Sequence, residues 1–395
     1  VGNSSAEFFE SLMAGRSGVR RITSDFADRL GVRVAAISTF KGDAFFSKKQ
    51  LGLLDRTSQM ALIAARQAWD DSGLAPDEQE RQRSGVYFGT GMGGANSLDD
   101  MFSALYGNNA ARVSPLSVPR IMSNAAASHI SIQYGLSGPC NTFSTACSSS
   151  TVAIGEAFRQ IKTGYSDIIL AGGAESLLSY GSLKCWESLG VLAHEDREDP
   201  AASCKPFSKD RSGFVLGEGA AMVALEEMDC ARKRGAHIYG ELAGYGSTAD
   251  AHHITSPSME GQARAMRLAL EEAWTSADEI DYINAHGTAT TNNDVVETLA
   301  VKKVFGARAR TVPISSTKSM HGHLLGAAGA VEFVAALLAM KHRAIPPTAH
   351  LRVADPDCDL DYVANAGRAG VLVKAVMSNS FAFGGTNAVL VAKAV

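Results

Sequence analysis

The sequence predicts an α/β fold with buried sheets, and three observations carry this. Strand-like apolar runs ending in small or polar residues recur at 85–89, 167–173, 281–287 and 375–380. Amphipathic helical stretches lie between them, such as Arg56 to Ser72, closed by Gly73, and Gln262 to Trp274. Alternation of this kind argues for layered helices and buried sheets. Third, Gly217 to Leu225 and Gly384 to Val391 are alike, each a Gly turn followed by a strand. They read as the closing strands of two duplicated halves.

In chain order, Ser4 to Glu7 reads as a capping box, so the first element is a helix. The run Thr145-Ala146-Cys147-Ser148-Ser149-Ser150 breaks an apolar segment into small hydroxyl residues. A helix is expected at once, with Ile154, Ala157, Phe158 and Ile161 on one face and Gly164 as its stop. Cys147 then lies at the positive end of a helix, which favours the thiolate. Residues 193–212 are polar, hold Pro200 and Pro206, and read as a long surface excursion. The basic turn Arg232 to Gly235 is the expected boundary, giving halves 1–235 and 236–395. Leu324 to Met340 is rich in Gly and Ala and interrupted by Glu332, so it reads as a buried core helix rather than a membrane span.

Composition narrows the function classes. At 395 residues and 46% hydrophobic, the chain can build two core units. A net charge of −4 gives no global footprint for nucleic acid or membrane, so an acidic partner must meet a local basic patch. Arg16, Arg20 and Arg21, Lys48 and Lys49, and Lys205, Lys209 and Arg211 are candidates for that patch. Six cysteines without CxxC spacing argue against a disulfide framework and for a reducing, cytoplasmic setting. No basic-then-apolar leader precedes the first helix.

Three further segments carry reactive residue types. Asn284-Ala285-His286-Gly287-Thr288-Ala289-Thr290 places a histidine at a strand end. Ser316-Thr317-Lys318-Ser319-Met320-His321-Gly322-His323 supplies a lysine and two histidines ahead of the buried helix. Ser380-Phe381-Ala382-Phe383-Gly384-Gly385-Thr386-Asn387 is an apolar loop with free backbone N–H groups. His321 and His323 could form half a metal site, but no Asp, Glu or Cys ligand lies close in sequence, so no metal is expected. Acyl transfer to a thiol needs an activated cysteine and backbone donors for an oxyanion. Decarboxylative carbon–carbon bond formation needs donors for an enolate oxygen, which two neutral imidazoles can supply. Glu332, mid-helix and buried, needs a cation, and Lys318 is the expected partner.

Together these segments resemble the β-ketoacyl-acyl carrier protein synthases of the KAS II type, in the thiolase-like superfamily. The resemblance rests on TACSSS, NAHGTAT, STKSMHGHLLGAAGAVE and NSFAFGGTN, in the family's order. It implies a thiolase-like five-layered α-β-α-β-α duplication with two buried mixed sheets, usually a homodimer. It implies Cys147 as acyl acceptor, His286 and His323 as the active-site histidines, and Lys318 as the supporting lysine beside Glu332. The GHLLG pattern selects His323 over His321. The N–H groups of Cys147 and Phe383 are implied as the oxyanion hole. Thr288 and Thr290 match pantetheine contacts, Phe381 and Phe383 match substrate contacts, and Met92 matches a residue limiting acyl-pocket depth. The implied partners are acyl carrier protein and its acyl and malonyl thioesters, with a heterodimer as a second assembly. No cofactor is implied beyond the carrier's phosphopantetheine.

The resemblance also marks departures. It implies a first strand ahead of Val1 that this sequence does not contain. His321 stands where Thr is common, and Ala382 where Gly is usual, which stiffens the loop. The Phe-Ala-Phe loop and His321 resemble nodulation-type synthases, and TACSSS resembles polyketide ketosynthases. Three rival readings are weighed. A non-catalytic chain-length factor lacks the cysteine. A degradative thiolase needs a late second cysteine, and only Cys358 is available. A cysteine hydrolase has no use for the Lys318–His323 segment.

Overall fold

The computed structural model describes residues 1–395. Its first sheet comprises β1 (Ser84–Gly89), β2 (Cys140–Phe143), β3 (Ile168–Glu175) and β4 (Gly219–Glu226). They lie in the order β2-β1-β3-β4, with β1 parallel to β2 and β3, and β4 antiparallel to β3. The second sheet comprises β5 (Glu241–Ala249), β6 (Tyr282–Asn284), β7 (Ile314–Ser315), β8 (Ala375–Phe381) and β9 (Thr386–Lys393), in the order β5-β9-β8-β6-β7. Here too β6 runs parallel to its neighbours β7 and β8, and β9 antiparallel to β8. Both sheets are therefore mixed. Strand for strand, β2-β1-β3-β4 corresponds to β7-β6-β8-β9. The Gly-turn strands that look alike in sequence occupy equivalent places. Only β5, antiparallel to β9, has no counterpart. The outer edge of β4 is correspondingly unpaired along its length and half-exposed.

Helices α1 (Ser5–Met13), α2 (Arg56–Ser72), α3 (Ala125–Tyr134), α4 (Ser149–Lys162), α5 (Met259–Glu272), α6 (Thr291–Phe305) and α7 (Ala328–His342) complete the layers. Helices α2 and α3 cover one face of the first sheet, and α5 covers the far face of the second with α6 packed on it. Between the sheets lie α4 and α7, in contact with each other. The result is five layers, α-β-α-β-α. The middle layer is buried from both sides, so α7 is apolar nearly all round, with Glu332 fully buried. Although it is long and apolar enough to cross a membrane, most of it lies inside the molecule.

Local signals set the ends of these helices. Asp55 caps α2 by accepting from Thr57 N at 2.8 Å, and Gly73 closes it at φ 63°. Ser4 caps α1 by accepting from Glu7 N, but the Glu7 carboxylate reaches back to Asn3 N rather than to Ser4. The segment 193–212 differs from the expected surface excursion. Residues 202–208 are buried, and the Phe207 ring stacks on Tyr362 at 3.8 Å. The Phe207 N–H is satisfied by Asp294 at 2.8 Å, which lets a polar loop enter the core.

Candidate active site

The hydroxyl run builds the turn that holds Cys147. Ser149 Oγ accepts from Thr145 N at 2.9 Å and donates to Ala146 O at 2.6 Å. Ser148 Oγ donates to Thr145 O at 2.8 Å. These bonds hold Ala146 at φ 50°, a left-handed angle unfavourable for alanine, and aim Cys147 off the start of α4. Farther along, Ser150 Oγ accepts from Ala330 N, and Thr151 Oγ1 meets Ser380 Oγ at 2.7 Å. Those contacts tie the cysteine turn to α7 and β8 in the other half.

Two histidines converge on the sulfur. The Cys147 Sγ and ring nitrogens of His286 and His323 lie within 4.8 Å of one another, all buried. Buried Glu297 accepts from the N–H groups of His286 and Gly287, both at 2.8 Å, and so fixes the first histidine's backbone. Lys318 Nζ donates to His286 O at 2.6 Å and approaches His286 Nδ1 at 3.4 Å. The same ammonium pairs with Glu332, both side chains fully buried. His323 is placed by its N–H on Val215 O at 2.7 Å, and its ring meets Phe214 edge-on at 5.2 Å.

These partners assign the tautomers. Leu325 N donates to His323 Nδ1 at 3.3 Å, so the proton sits on Nε2, which has no partner in the protein. At His286 the ammonium faces Nδ1, which again places the hydrogen on Nε2. Burial, then the Lys318 charge, holds both imidazoles well below the usual histidine range, so both are neutral donors. Burial pushes the Glu332 carboxyl up to about 7, against the pull of Lys318.

The sulfur departs from the sequence expectation. Burial pushes the Cys147 thiol up to about 12, outweighing Lys318 and the Phe383 N–H, which favour the thiolate. The resting group is a thiol, because the helix start is sealed from water: Cys147 is 6% exposed. The Phe383–Gly385 turn packs on the turn that holds Cys147. Thus the structure brings together Cys147, His286, His323, Lys318, Glu332 and Phe383. Phe381 is buried 6.0 Å from the His286 ring. Thr288 and Thr290 meet through their hydroxyls at 2.9 Å, and Thr290 caps α6. Met92 is 53% exposed in the single chain. His321 is held apart from the sulfur group: its Nδ1 lies 2.8 Å from Gly322 O and its Nε2 2.9 Å from Thr317 Oγ1.

Cys147, His286 and His323 are spaced closely enough to hold a metal ion, but both Nε2 lone pairs are committed to hydrogen. Elsewhere, Asn284 Oδ1, Ser378 Oγ, Asn379 Oδ1 and Glu332 Oε2 are buried without partners, and oxygens of this kind suit a hard cation. Two residues of the expected basic patch are not available. Lys205 is paired with Asp196 and Asp210, and Arg211 with Asp355 and Asp294, in buried sites. Lys48, Lys49 and Lys209 remain exposed without ion pairs. A groove of about 1110 Å³ runs along the bare edge of β4, where His321 and Leu324 line it, while neither Cys147 nor His323 does.

Sequence reasoning missed Phe214, Glu297 and Glu175. Glu297 carried a signal, an acidic residue 11 positions after His286. Phe214 carried none, because only the buried loop brings it to His323.

Residues 1–231 match the family model "Beta-ketoacyl synthase, N-terminal domain", and residues 239–352 match "Beta-ketoacyl synthase, C-terminal domain". The chain is 40% identical over its whole length to 3-oxoacyl-[acyl-carrier-protein] synthase 2 of Synechocystis sp., covering 95% of that protein. It is 42% identical to Nodulation protein E of Rhizobium sp., over 99% of this chain and 95% of that one. A solved ketosynthase, in complex with a type II PKS acyl-carrier protein and bound to the hexaketide, superposes with a TM-score of 0.90. The two are 34% identical, over 99% of this chain and 95% of that one.

Proposed function

Because the chain belongs to the β-ketoacyl synthase family, we propose that Cys147 is the acyl-carrying nucleophile of a decarboxylative condensation. The protein is a condensing acyltransferase of the 3-oxoacyl-[acyl-carrier-protein] synthase 2 type, acting on carrier-protein thioesters. The observation that carries the residue assignment is the convergence of one thiol with two neutral imidazoles, with His323 Nε2 left without a partner.

In the first half-reaction the Cys147 sulfur attacks the acyl thioester. The C–S bond to phosphopantetheine breaks, and the departing thiolate takes up the cysteine's proton. The N–H groups of Cys147 and Phe383 hold the oxyanion. Malonyl-carrier protein then enters. Its C–C bond breaks to release CO2, and the electron pair moves into an enolate whose oxygen accepts from His286 and His323. The enolate carbon attacks the Cys147 thioester, and the sulfur leaves as thiolate and takes a proton from water to restore the resting thiol. The product is a β-ketoacyl-carrier protein two carbons longer, for fatty-acid or specialised acyl-chain biosynthesis. Lys318 fixes the His286 backbone and ring, while Glu332 balances its charge. Side chains and backbone N–H groups of the protein account for each step, and the phosphopantetheine belongs to the substrate.

The same reading divides the chain at 235/236 and places Thr288 and Thr290 along the pantetheine arm, Met92 at the acyl end. It also places the enzyme in the cytoplasm as a homodimer. The free edge of β2, beside exposed Ile132 on α3, supports the dimer. Cys358 does not support a thiolase, since it packs in the core of the second half, apart from the cluster around Cys147. Cys147→Ala tests the assignment. We expect acyl transfer to be lost with the fold and melting temperature retained; full condensing activity in this variant would sink the mechanism.

A further inference from the structure

We propose that Glu175 is a positioning residue that fixes the apolar segments packed around the Cys147 sulfur, and so the acyl lengths accepted there; this rests on reading Cys147 as the acyl-accepting sulfur. Glu175 ends β3, is fully buried and forms no ion pair. Its carboxylate is instead satisfied by four donors: Thr90 Oγ1 at 3.0 Å, the N–H of Gly91, that of Met92 at 3.3 Å, and that of Gly326 at 3.1 Å. Every segment tied here supplies a wall of the apolar cluster that contains Cys147. Ala95 follows the Gly91–Gly94 turn, Leu325 directly precedes Gly326, and Leu177 lies just beyond Glu175. The junction has no slack: a Cβ on Gly91 would lie 2.8 Å, and one on Gly326 2.6 Å, from the carboxylate.

The duplication explains why a carboxylate stands there. Matching β3 to β8 from their first residues sets Glu175 level with Ala382. Matching α4 to α7 sets Cys147 level with Gly326, and the preceding residues Ala146 and Leu325 share positive φ of 50° and 46°. In one turn the loop after Ala382 brings Phe383–Gly385 onto the cysteine turn. In the other turn Glu175 itself fills the space and takes the Gly326 N–H. The fold thus makes two similar turns, and Glu175 closes one beside the apolar cluster that holds the sulfur of the other.

Glu175→Gln preserves shape but turns an amide NH2 toward N–H donors. The test is the rate of acyl loading onto Cys147, followed by intact-protein mass spectrometry with acyl-carrier-protein thioesters of increasing chain length. For the wild type, absence of acyl mass on Cys147 would overturn the reading of the site itself. Given loading there, we expect the variant's preference for its best length over one four carbons longer to fall about tenfold. An unchanged ratio, or an equal loss at every length, would overturn the role of Glu175. Thr90→Val removes one donor and is expected to move the ratio the same way by less. If thermal melting shows that Glu175→Gln does not fold, Thr90→Val decides: an unchanged ratio in that variant rejects the proposal.

Discussion

At the Cys147 sulfur, burial and local charge act in opposite directions, and burial prevails at rest. In the proposed mechanism, reactivity therefore depends on donors that meet charge as it develops: the Phe383 N–H and the two imidazole N–H groups. His323 and His321 illustrate how differently two residues apart can be used. His323 keeps its Nε2 free, whereas His321 spends both nitrogens on Gly322 and Thr317. We expect His323→Ala to lose malonyl decarboxylation by at least about a hundredfold, and His321→Asn to lose far less. Carbon dioxide release from malonyl-carrier protein measures both, and equal losses would overturn the assignment. His321 is also a stability probe. Burial, chiefly, lowers it from 6.5 to about 3. Its contribution is thus complete above 6.5 and is lost as pH falls toward the folded value. Relative to His321→Asn, the wild type should lose about 1.4 kcal/mol between pH 7.5 and 5.5. Urea unfolding of both proteins at the two pH values checks the sign.

Among the elements, α4 carries the greatest constraint, because it bears the cysteine turn and lies between the two sheets. Gly155, in its middle, packs face-on against fully buried Tyr245 of β5; an added Cβ would lie 2.3 Å from that ring. Helix propensity alone would favour Gly155→Ala by about 1 kcal/mol. Overpacking a rigid ring costs about 1–3 kcal/mol. The clash should win, with a net loss of up to about 2 kcal/mol in chemical denaturation; a stabilised variant would show that the layers have slack. In the Phe381–Gly385 loop, Ala382 is extended at φ −110°, which alanine adopts freely, while Gly384 and Gly385 take φ of 83° and 74°. The left-handed angles of this loop therefore fall on its glycines, and Ala382 fits the observed conformation without strain.

The whole molecule exposes an unfinished surface around β2. Its outer edge is unpaired, and Ile132 on the adjoining α3 is 78% exposed. Nearby Val118 and Met122 are exposed as well. Unprotected edges beside apolar patches are the mark of an interface. We expect a dimer in solution by light scattering, and a shift toward monomer in Ile132→Asp; a wild-type monomer at micromolar concentration would remove this reading.

Much of the molecule was legible from residue order. Short-range rules set the α2 boundaries, since Asp55 and Gly73 are a cap and a stop whatever surrounds them. The apolar runs located β1, β3, β6 and β8, and the four motifs located Cys147, His286, Lys318 and His323. The buried Glu332–Lys318 pair followed from the cost of an unpaired charge in a core helix. Other properties belong to the assembled layers alone. The thiol's shift comes from burial, which depends on everything packed around Cys147. Lys205 and Arg211 read as surface charge until the 193–212 loop folds inward and pairs them. Glu175 joins segments some 85 and 151 residues away in sequence. By itself the sequence determined where the helices, strands and reactive motifs lie, because helix caps, apolar periodicity and motifs are local. Only the tertiary structure decided the protonation of the groups in those motifs and brought them within 4.8 Å of one another, because desolvation and long-range contacts exist only once the chain has closed around them.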